Sequence, residues 1–563
     1  MSLRRIAGVL RMFTRPSHAS FRPLGERICH ASLIHRDLCV ALGLAGIVVL
    51  LGAWQMVVGV CGVYHDDAIY VITAKAMAEG DGYKLINLPN APFQTKYPIL
   101  YPALLALIWK FWPSFPDNLL AMQWLSLLLG ASTVGLAYLY MVRCNYFSRS
   151  VVAAAALLSI TSPQFLYFCS LTLSEIPFAL VTVLAAWALD KYTAGPDRSG
   201  WLQFSLGVLL ALPFLTRSIG IVFAPIGLAL LYLSGRPVRW VFFGAAILML
   251  PWISWMLLGS RWNDLEVTSY YTTYFSWWYN FGIGALSRVV LMNAMYLLYN
   301  SASIGLGIFD GQLFFPDSAW LLVLLAGSTV YLGLTKQLCE GRVLPCFLTG
   351  YLILVLVWPW FPSRFLIPIL PFLLAYFLNL IWNQMQRLAV IAPHKMLGTI
   401  GLSIVLMSNI TLVHRAVAIS QSMHYPYLKR MKEPISWSSY EGIFKWIRMH
   451  TLRHDIIASG LDTMVYLYTN RPAFRPFVVR PMSLFYGDNS PPLGSKEEII
   501  GFIKICKARY LVQTPMPKSS EEGMNEFVEQ VQREYPGWLK LVYLGEDKRF
   551  AVFELQSDHE HDL

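Results

Sequence analysis

Residues 39–67 read CVALGLAGIVVLLGAWQMVVGVCGVYHDD. From Cys39 to Cys61 no side chain is charged. A helix rising 1.5 Å per residue over that stretch crosses a hydrocarbon core about 30 Å thick. Four to six residues later come His65, Asp66 and Asp67. A membrane-spanning helix that delivers two adjacent acids to the membrane surface is the unit from which the chain is read.

Runs of the same kind recur at about 118–142, 150–168, 174–191, 201–216, 218–234, 239–258, 318–335, 343–361, 364–382 and 397–416, so about eleven spans are expected. Pro98–Trp112 and residues 283–308 are apolar but suit interfacial or re-entrant helices. Composition agrees: of 563 residues, 56% are hydrophobic and 14% charged, against roughly 25% charge in a soluble chain. The net charge of +11 reflects cytoplasmic Lys and Arg in a membrane protein and does not point to nucleic acid. The 8 Cys are scattered without a CxxC pair, which excludes both a disulfide framework and a cysteine metal cluster.

Charge sets the orientation. Residues 1–38 carry Arg4, Arg5, Arg11, Arg15, Arg22, Arg27 and Arg36 against Glu26 and Asp37. No cleavable signal pattern follows, so this arm reads as a cytoplasmic flank, with an Arg-rich transit peptide as the alternative. Arg143, Arg149, Lys191, Arg198, Arg236, Arg239, Lys336, Arg342, Arg387 and Lys395 then fall in the inner connections, whereas the short outer ones hold only Arg217 and Arg364. The positive-inside rule is obeyed throughout. The expected domains are therefore a basic arm, 1–38; a membrane domain, 39–417, with outer loops 62–116 and 259–317; and an extracytoplasmic tail, 418–563. The second loop is aromatic (Tyr270, Tyr271, Tyr274, Trp277, Trp278). In the tail, Ile456–Ser459 and Tyr510–Val512 read as strands and Tyr440–His450 and Ser519–Glu534 as helices, which makes a small α/β domain. No internal repeat is visible.

The chemistry-bearing residues gather on the outer side. Like charges as close as Asp66 and Asp67 raise one pKa of the pair. One of them can serve as a general base, or both can sit on the positive end of a helix dipole. Gln94-Thr95-Lys96-Tyr97-Pro98-Ile99-Leu100-Tyr101-Pro102 sets a lysine before an interfacial helix. That cation suits a lipid phosphate or is a snorkelling side chain. Glu175 (in Ser174-Glu175-Ile176-Pro177), Arg217 (in Thr216-Arg217) and Arg364 (in Arg364-Phe365-Leu366-Ile367-Pro368) share that side. Each arginine either forks onto a phosphate or pairs with Glu175.

In order and spacing, Asp-Asp-Ala-x-Tyr, Lys-Tyr-Pro-Ile-Leu-Tyr-Pro, Ser-Glu-x-Pro, Thr-Arg and Arg-Phe-Leu-x-Pro-x-Leu-Pro resemble the GT-C glycosyltransferases. The nearest branch holds the bacterial relatives of protein O-mannosyltransferase and of the aminoarabinose lipid A transferase. The resemblance covers about residues 40–380. In the tail, Phe444-Lys445-Trp446-Ile447-Arg448 through Thr469-Asn470-Arg471-Pro472 is similar to that branch's periplasmic domain. It implies an all-α bundle of about 11–13 transmembrane helices with a small α/β extracytoplasmic domain, in a bacterial plasma membrane. It implies inverting transfer of a sugar from a polyprenyl-phosphate carrier to an extracytoplasmic lipid, glycan or protein. Asp66 would be the base, with Asp67 beside it, and Lys96 would contact the carrier phosphate with help from Arg217 and Arg364. His65, Tyr70, Tyr97 and Glu175 would support the site. Aminoarabinose transferases carry Glu-Lys-Pro-Pro where this chain has Thr95-Lys96-Tyr97-Pro98. The missing Glu removes a possible metal ligand and weakens the case for that sugar. No cofactor is required and a divalent metal is not indicated, because basic side chains can meet the leaving phosphate. Trp277-Trp278 is followed by Tyr279, so the Trp-Trp-Asp of oligosaccharyltransferases is absent. The alternatives are a secondary transporter, disfavoured by the missing repeat, and a non-catalytic relative, disfavoured by the intact acid pair.

Overall fold

Apolar residues at nearly every position leave a membrane helix no polar face, so packing decides which helices are central. The computed structural model describes residues 24–196, 199–259, 261, 268–273, 282–307, 320–387, 394–423, 435–488, 493–515 and 518–556. The basic arm before Leu24 and the aromatics Tyr274, Trp277, Trp278 and Tyr279 lie outside the described residues.

Helix α1 is Leu24–Gln55. The loop that follows contains α2, Asp66–Glu79, and α3, Leu100–Phe111. The bundle continues with α4 (Leu119–Arg143), α5 (Arg149–Ile160), α6 (Pro163–Cys169), α7 (Glu175–Thr193) and α8 (Gly200–Thr216). A 3₁₀ turn, Ser218–Val222, leads into α9, Phe223–Leu233, and α10 is Arg239–Gly259. Then come α11 (Ile283–Gly305), α12 (Trp320–Leu338), α13 (Val343–Val357), α14 (Ser363–Arg387, with a 3₁₀ step at Ile367–Ile369) and α15 (His394–Met423).

Every expected span coincides with a helix, but their lengths differ from the expectation. Among the described residues six helices are long and apolar enough to cross a membrane, or seven if α5 and α6 are one span. Those two meet at 73°, because Pro163 has no N–H to continue α5 and Ser162 caps the Phe165 amide instead. The shorter apolar helices include α8, α13 and the Ser218–Leu233 unit. Of residues 283–308, expected as interfacial, Ile283–Gly305 form α11, which is not among those six. Helix α15 runs on past residue 417, where the sequence reading ends the membrane domain.

Helices α4 and α14 are the most enclosed spans, whereas α1, α10 and α15 turn apolar side chains such as Leu50, Phe242 and Met407 outward. Helices α8 and α10 approach closely because Gly207 faces the Val241 carbonyl and Gly244 the Phe204 carbonyl, with no room for a Cβ at either. Helix α3 buries Tyr101, Leu105 and Trp109, one i, i+4 ridge, and exposes Leu107 and Phe111, the division expected at an interface.

The tail is built around a five-stranded sheet: β1 Ile457–Ser459, β2 Ala473–Phe474, β3 Tyr510–Gln513, β4 Leu539–Leu544 and β5 Ala551–Leu555, in the order β2-β1-β3-β5-β4. β2, β1 and β3 are parallel, and β5 and β4 join antiparallel. Helices α16 (Trp437–His450), α17 (Asp462–Thr469), α18 (Lys496–Ile505) and α19 (Lys518–Glu534) accompany it. The sheet domain sits on the loop between α1 and α4. Tyr468 Oη donates to the Gly59 carbonyl at 2.6 Å and accepts from the Cys61 amide at 3.0 Å. The Ala473 amide donates to the Asn87 carbonyl, and Lys75 Nζ reaches Tyr466 Oη and Asn470 Oδ1. Gly62, at φ +102°, packs directly against Met464.

Candidate functional site

The acid pair opens α2, and its two members face different ways. Asp67 is buried, and its carboxylate accepts from the Gly62 amide at 2.8 Å and the Tyr64 amide at 3.2 Å. It therefore closes the loop on itself. Burial pushes its pKa up to about 6, against the lowering effect of the Gly62 and Ala68 amides. Asp66 instead points outward and stays partly exposed. Tyr97 Oη donates to its Oδ1 at 2.6 Å, and Arg364 Nη1 reaches its Oδ2 at 2.9 Å. Burial opposes its charge, but Arg364, Tyr97, His65 and Lys96 outweigh that and hold its pKa below the ordinary carboxylate range. The sequence left open which acid caps and which reacts. The fold gives Asp67 the backbone and leaves Asp66 to the cations.

His65, between the loop and the helix, has φ 65° and ψ −52°. The Asp66 amide bonds the Tyr64 carbonyl at 2.7 Å across it. This is a γ-turn of the positive-φ kind, rare and strained for a residue with a Cβ, at about 1–3 kcal/mol. Its ring is clamped: Nε2 donates to Asp462 Oδ1 at 3.1 Å, and the ring packs against Tyr271 at 5.4 Å between centroids.

The second ring of charges lies at helix ends. Glu175 begins α7, Arg217 follows α8 and Arg364 stands in the first turn of α14. Glu175 Oε1 takes Arg217 Nη1 at 2.8 Å and Arg364 Nη2 at 2.7 Å. Arg364 thus bridges Glu175 to Asp66. Arg217 also donates to Ser174 Oγ at 3.0 Å, which is 2.7 Å from Tyr70 Oη. Of the two readings that the sequence left open for each arginine, a phosphate or Glu175, the structure shows the pairing with Glu175. Both are paired with acids, because a buried charge needs a partner. Glu175 Oε2 is buried without a hydrogen-bond partner among the described residues.

Lys96 is the remaining expected cation. Gln94 Oε1 accepts the Lys96 and Tyr97 amides at 2.8 and 3.1 Å, Trp255 Nε1 donates to the Gln94 carbonyl and Ser218 Oγ to the Lys96 carbonyl. Nζ lies 5.5 Å from the Tyr97 ring, next to the Tyr97–Asp66 bond. Burial pulls its pKa down to about 7, Asp66 partly restoring it. Asp66, Lys96, Tyr97, Tyr70, Glu175, Arg217 and Arg364 therefore share one cluster, with Asp67 and His65 behind it. No group of three or more His, Cys, Asp or Glu placed to hold a metal occurs among the described residues.

Sequence reading missed Asp462, Tyr271 and Asn87 as members. Asn87 Nδ2 and Tyr271 Oη both donate to Asp462 Oδ2, at 3.3 and 2.8 Å. Leu461-Asp462-Thr463 carries no motif, and its partners lie hundreds of residues away in sequence.

No protein-family model matches the chain, and no curated protein does. Solved structures do. ArnT from Cupriavidus metallidurans, bound to undecaprenyl phosphate, superposes with TM-score 0.53 over 94% of this chain and 99% of that chain, at 11% identity. Archaeal oligosaccharyltransferase AglB from Archaeoglobus fulgidus, in complex with an inhibitory peptide and a dolichol-phosphate, gives 0.53 over 92% and 74%, at 12% identity. The chain has the GT-C fold. Both GT-C neighbours were solved with a polyprenyl phosphate. A fold can be shared at 11–12% identity, since cores tolerate extensive apolar substitution as long as volume and pattern are kept.

Proposed function

We propose that the chain is an inverting glycosyltransferase that moves a sugar from a polyprenyl-phosphate carrier to an extracytoplasmic acceptor, with Asp66 as general base. One observation carries the reading: a partly exposed carboxylate, kept ionised, stands beside Tyr97, Arg364 and a buried lysine at one end of an apolar bundle. The polyprenyl phosphates of the GT-C neighbours support the donor class.

The donor's prenyl tail lies in the bilayer and its phosphate enters beside Lys96. That anion brings Lys96 to its charged form, and Lys96 then meets the charge that develops on the leaving phosphate. The phosphate also competes with Asp66 for Arg364. As Arg364 shifts, Asp66 loses its strongest stabilising charge and becomes a better base. Asp66 takes the proton of an acceptor hydroxyl, whose oxygen attacks the anomeric carbon opposite the phosphate. The carbon–oxygen bond to the carrier breaks, and a single displacement inverts the anomer. Asp67 holds the loop and takes no proton. Glu175 keeps Arg217 and Arg364 in place. The charged end of the bundle and the sheet domain face the extracytoplasmic side of a bacterial plasma membrane, with the N-terminus cytoplasmic.

Asp66→Asn keeps the side chain's size and removes its basicity. Transfer from polyprenyl-phosphate sugar by the purified full chain falls at least a thousandfold, with unchanged expression and melting. Retained transfer moves the base elsewhere.

A further inference from the structure

The turn that aims Asp66 is strained, and the group that clamps it comes from the sheet domain. Asp462, the first residue of α17, is fully buried. Its carboxylate accepts from His65 Nε2, Asn87 Nδ2 and Tyr271 Oη at 3.1, 3.3 and 2.8 Å. His65 and Asn87 belong to the first outer loop and Tyr271 to the second, so two separate loops meet on one carboxylate of the sheet domain. The Arg475 amide extends the chain by donating to Tyr271 Oη at 3.2 Å. A residue with a Cβ persists at φ 65° only where its surroundings over-determine it. Here the surroundings are Asp67 on the Gly62 and Tyr64 amides from inside the loop and Asp462 on the His65 ring from outside.

We infer that Asp462 is a positioning residue: by holding His65 it keeps the γ-turn formed and fixes the direction in which Asp66 leaves the backbone, so that the sheet domain sets the geometry of the base. The inference deepens the proposed function, because it rests on Asp66 being the base. It gives the sheet domain a role in catalysis without contact with the reacting atoms. It also explains why a domain of separate fold is seated on this loop.

The test uses the full chain in detergent, with hydrogen exchange read by mass spectrometry beside transfer kinetics. Asp462→Ala raises exchange across residues 62–67 at least tenfold while β1 and β3 stay protected. kcat falls at least tenfold and donor KM stays within twofold. Adding His65→Gly restores part of kcat, since glycine takes positive φ without a clamp. His65→Ala, which leaves the sheet domain untouched, loosens the same segment and answers the question should Asp462→Ala unfold that domain. Unchanged exchange at 62–67 in either folded variant overturns the inference, as does an equal loss of kcat with and without His65→Gly. Exchange that rises in a chain with no transferase activity would uphold the clamp and defeat the functional reading, so the two fail separately.

Discussion

In the proposed reaction, Lys96 is the side chain whose state decides whether donor binds. Its lowered pKa, about 7, follows from burial. The charged form is present below that value and is lost as pH rises through it, whereas only the charged form attracts a phosphate. Because kcat/KM reports the free enzyme, kcat/KM for the lipid donor should fall above pH 7. Lys96→Arg, always charged, should abolish that alkaline limb at some cost in absolute rate. A profile unchanged by the substitution would remove Lys96 from donor binding. Glu175 gives the second prediction at this scale. One of its oxygens serves Arg217 and Arg364 together. Glu175→Gln leaves the half-buried guanidinium groups of Arg217 and Arg364 short of the fully buried counter-charge they share, which costs about 3–5 kcal/mol. The apparent Tm in detergent should fall by several degrees, with Asp66 drawn more tightly onto Arg364.

At the scale of elements, the loop before α2 and the crossing of α8 with α10 are the points of least tolerance. Asp67→Asn supplies one acceptor oxygen where two backbone amides, Gly62 and Tyr64, now find two. An unsatisfied buried N–H costs about 1–3 kcal/mol. Faster exchange at these two amides, with β1 unchanged, is the expected result; unaltered protection would show that Asp67 does not hold the loop. In the bundle, Gly207→Leu would drive a side chain into the Val241 carbonyl. Helices α8 and α10 should separate, which is measurable as loss of a disulfide between cysteines introduced across the crossing. Gly43, whose Cβ position is open, should accept the same change.

For the whole molecule, the proposed orientation places the sheet domain and the Asp66 cluster on one side of the membrane and Lys191 on the other. With the exposed Cys39 and Cys339 replaced by serine, an impermeant maleimide applied to spheroplasts should label Glu529→Cys, in α19. Lys191→Cys should react only after permeabilisation. The opposite pattern would invert the protein and remove the acceptor compartment. Orientation follows from the summed Lys and Arg of short loops, so it is a property of the whole chain rather than of any residue.

Apolar runs and loop charges made the helices legible from the sequence alone, because a membrane helix must satisfy its backbone internally and carry apolar side chains for about 20 residues. Both are local demands. The acid pair, Lys96, Tyr97, Glu175, Arg217 and Arg364 were legible as candidates for the same reason: ionisable groups at apolar segment ends are expensive to keep. What each does was decided only in three dimensions. Which acid faces the cations depends on a turn of positive φ at His65, and which cations are neutralised depends on α7, α8 and α14 ending together. Asp462 enters through contact with residues 397 and 191 positions away. Hydrogen-bond partners of that separation leave no trace in local composition, since they arise from packing of elements whose own patterns are satisfied independently.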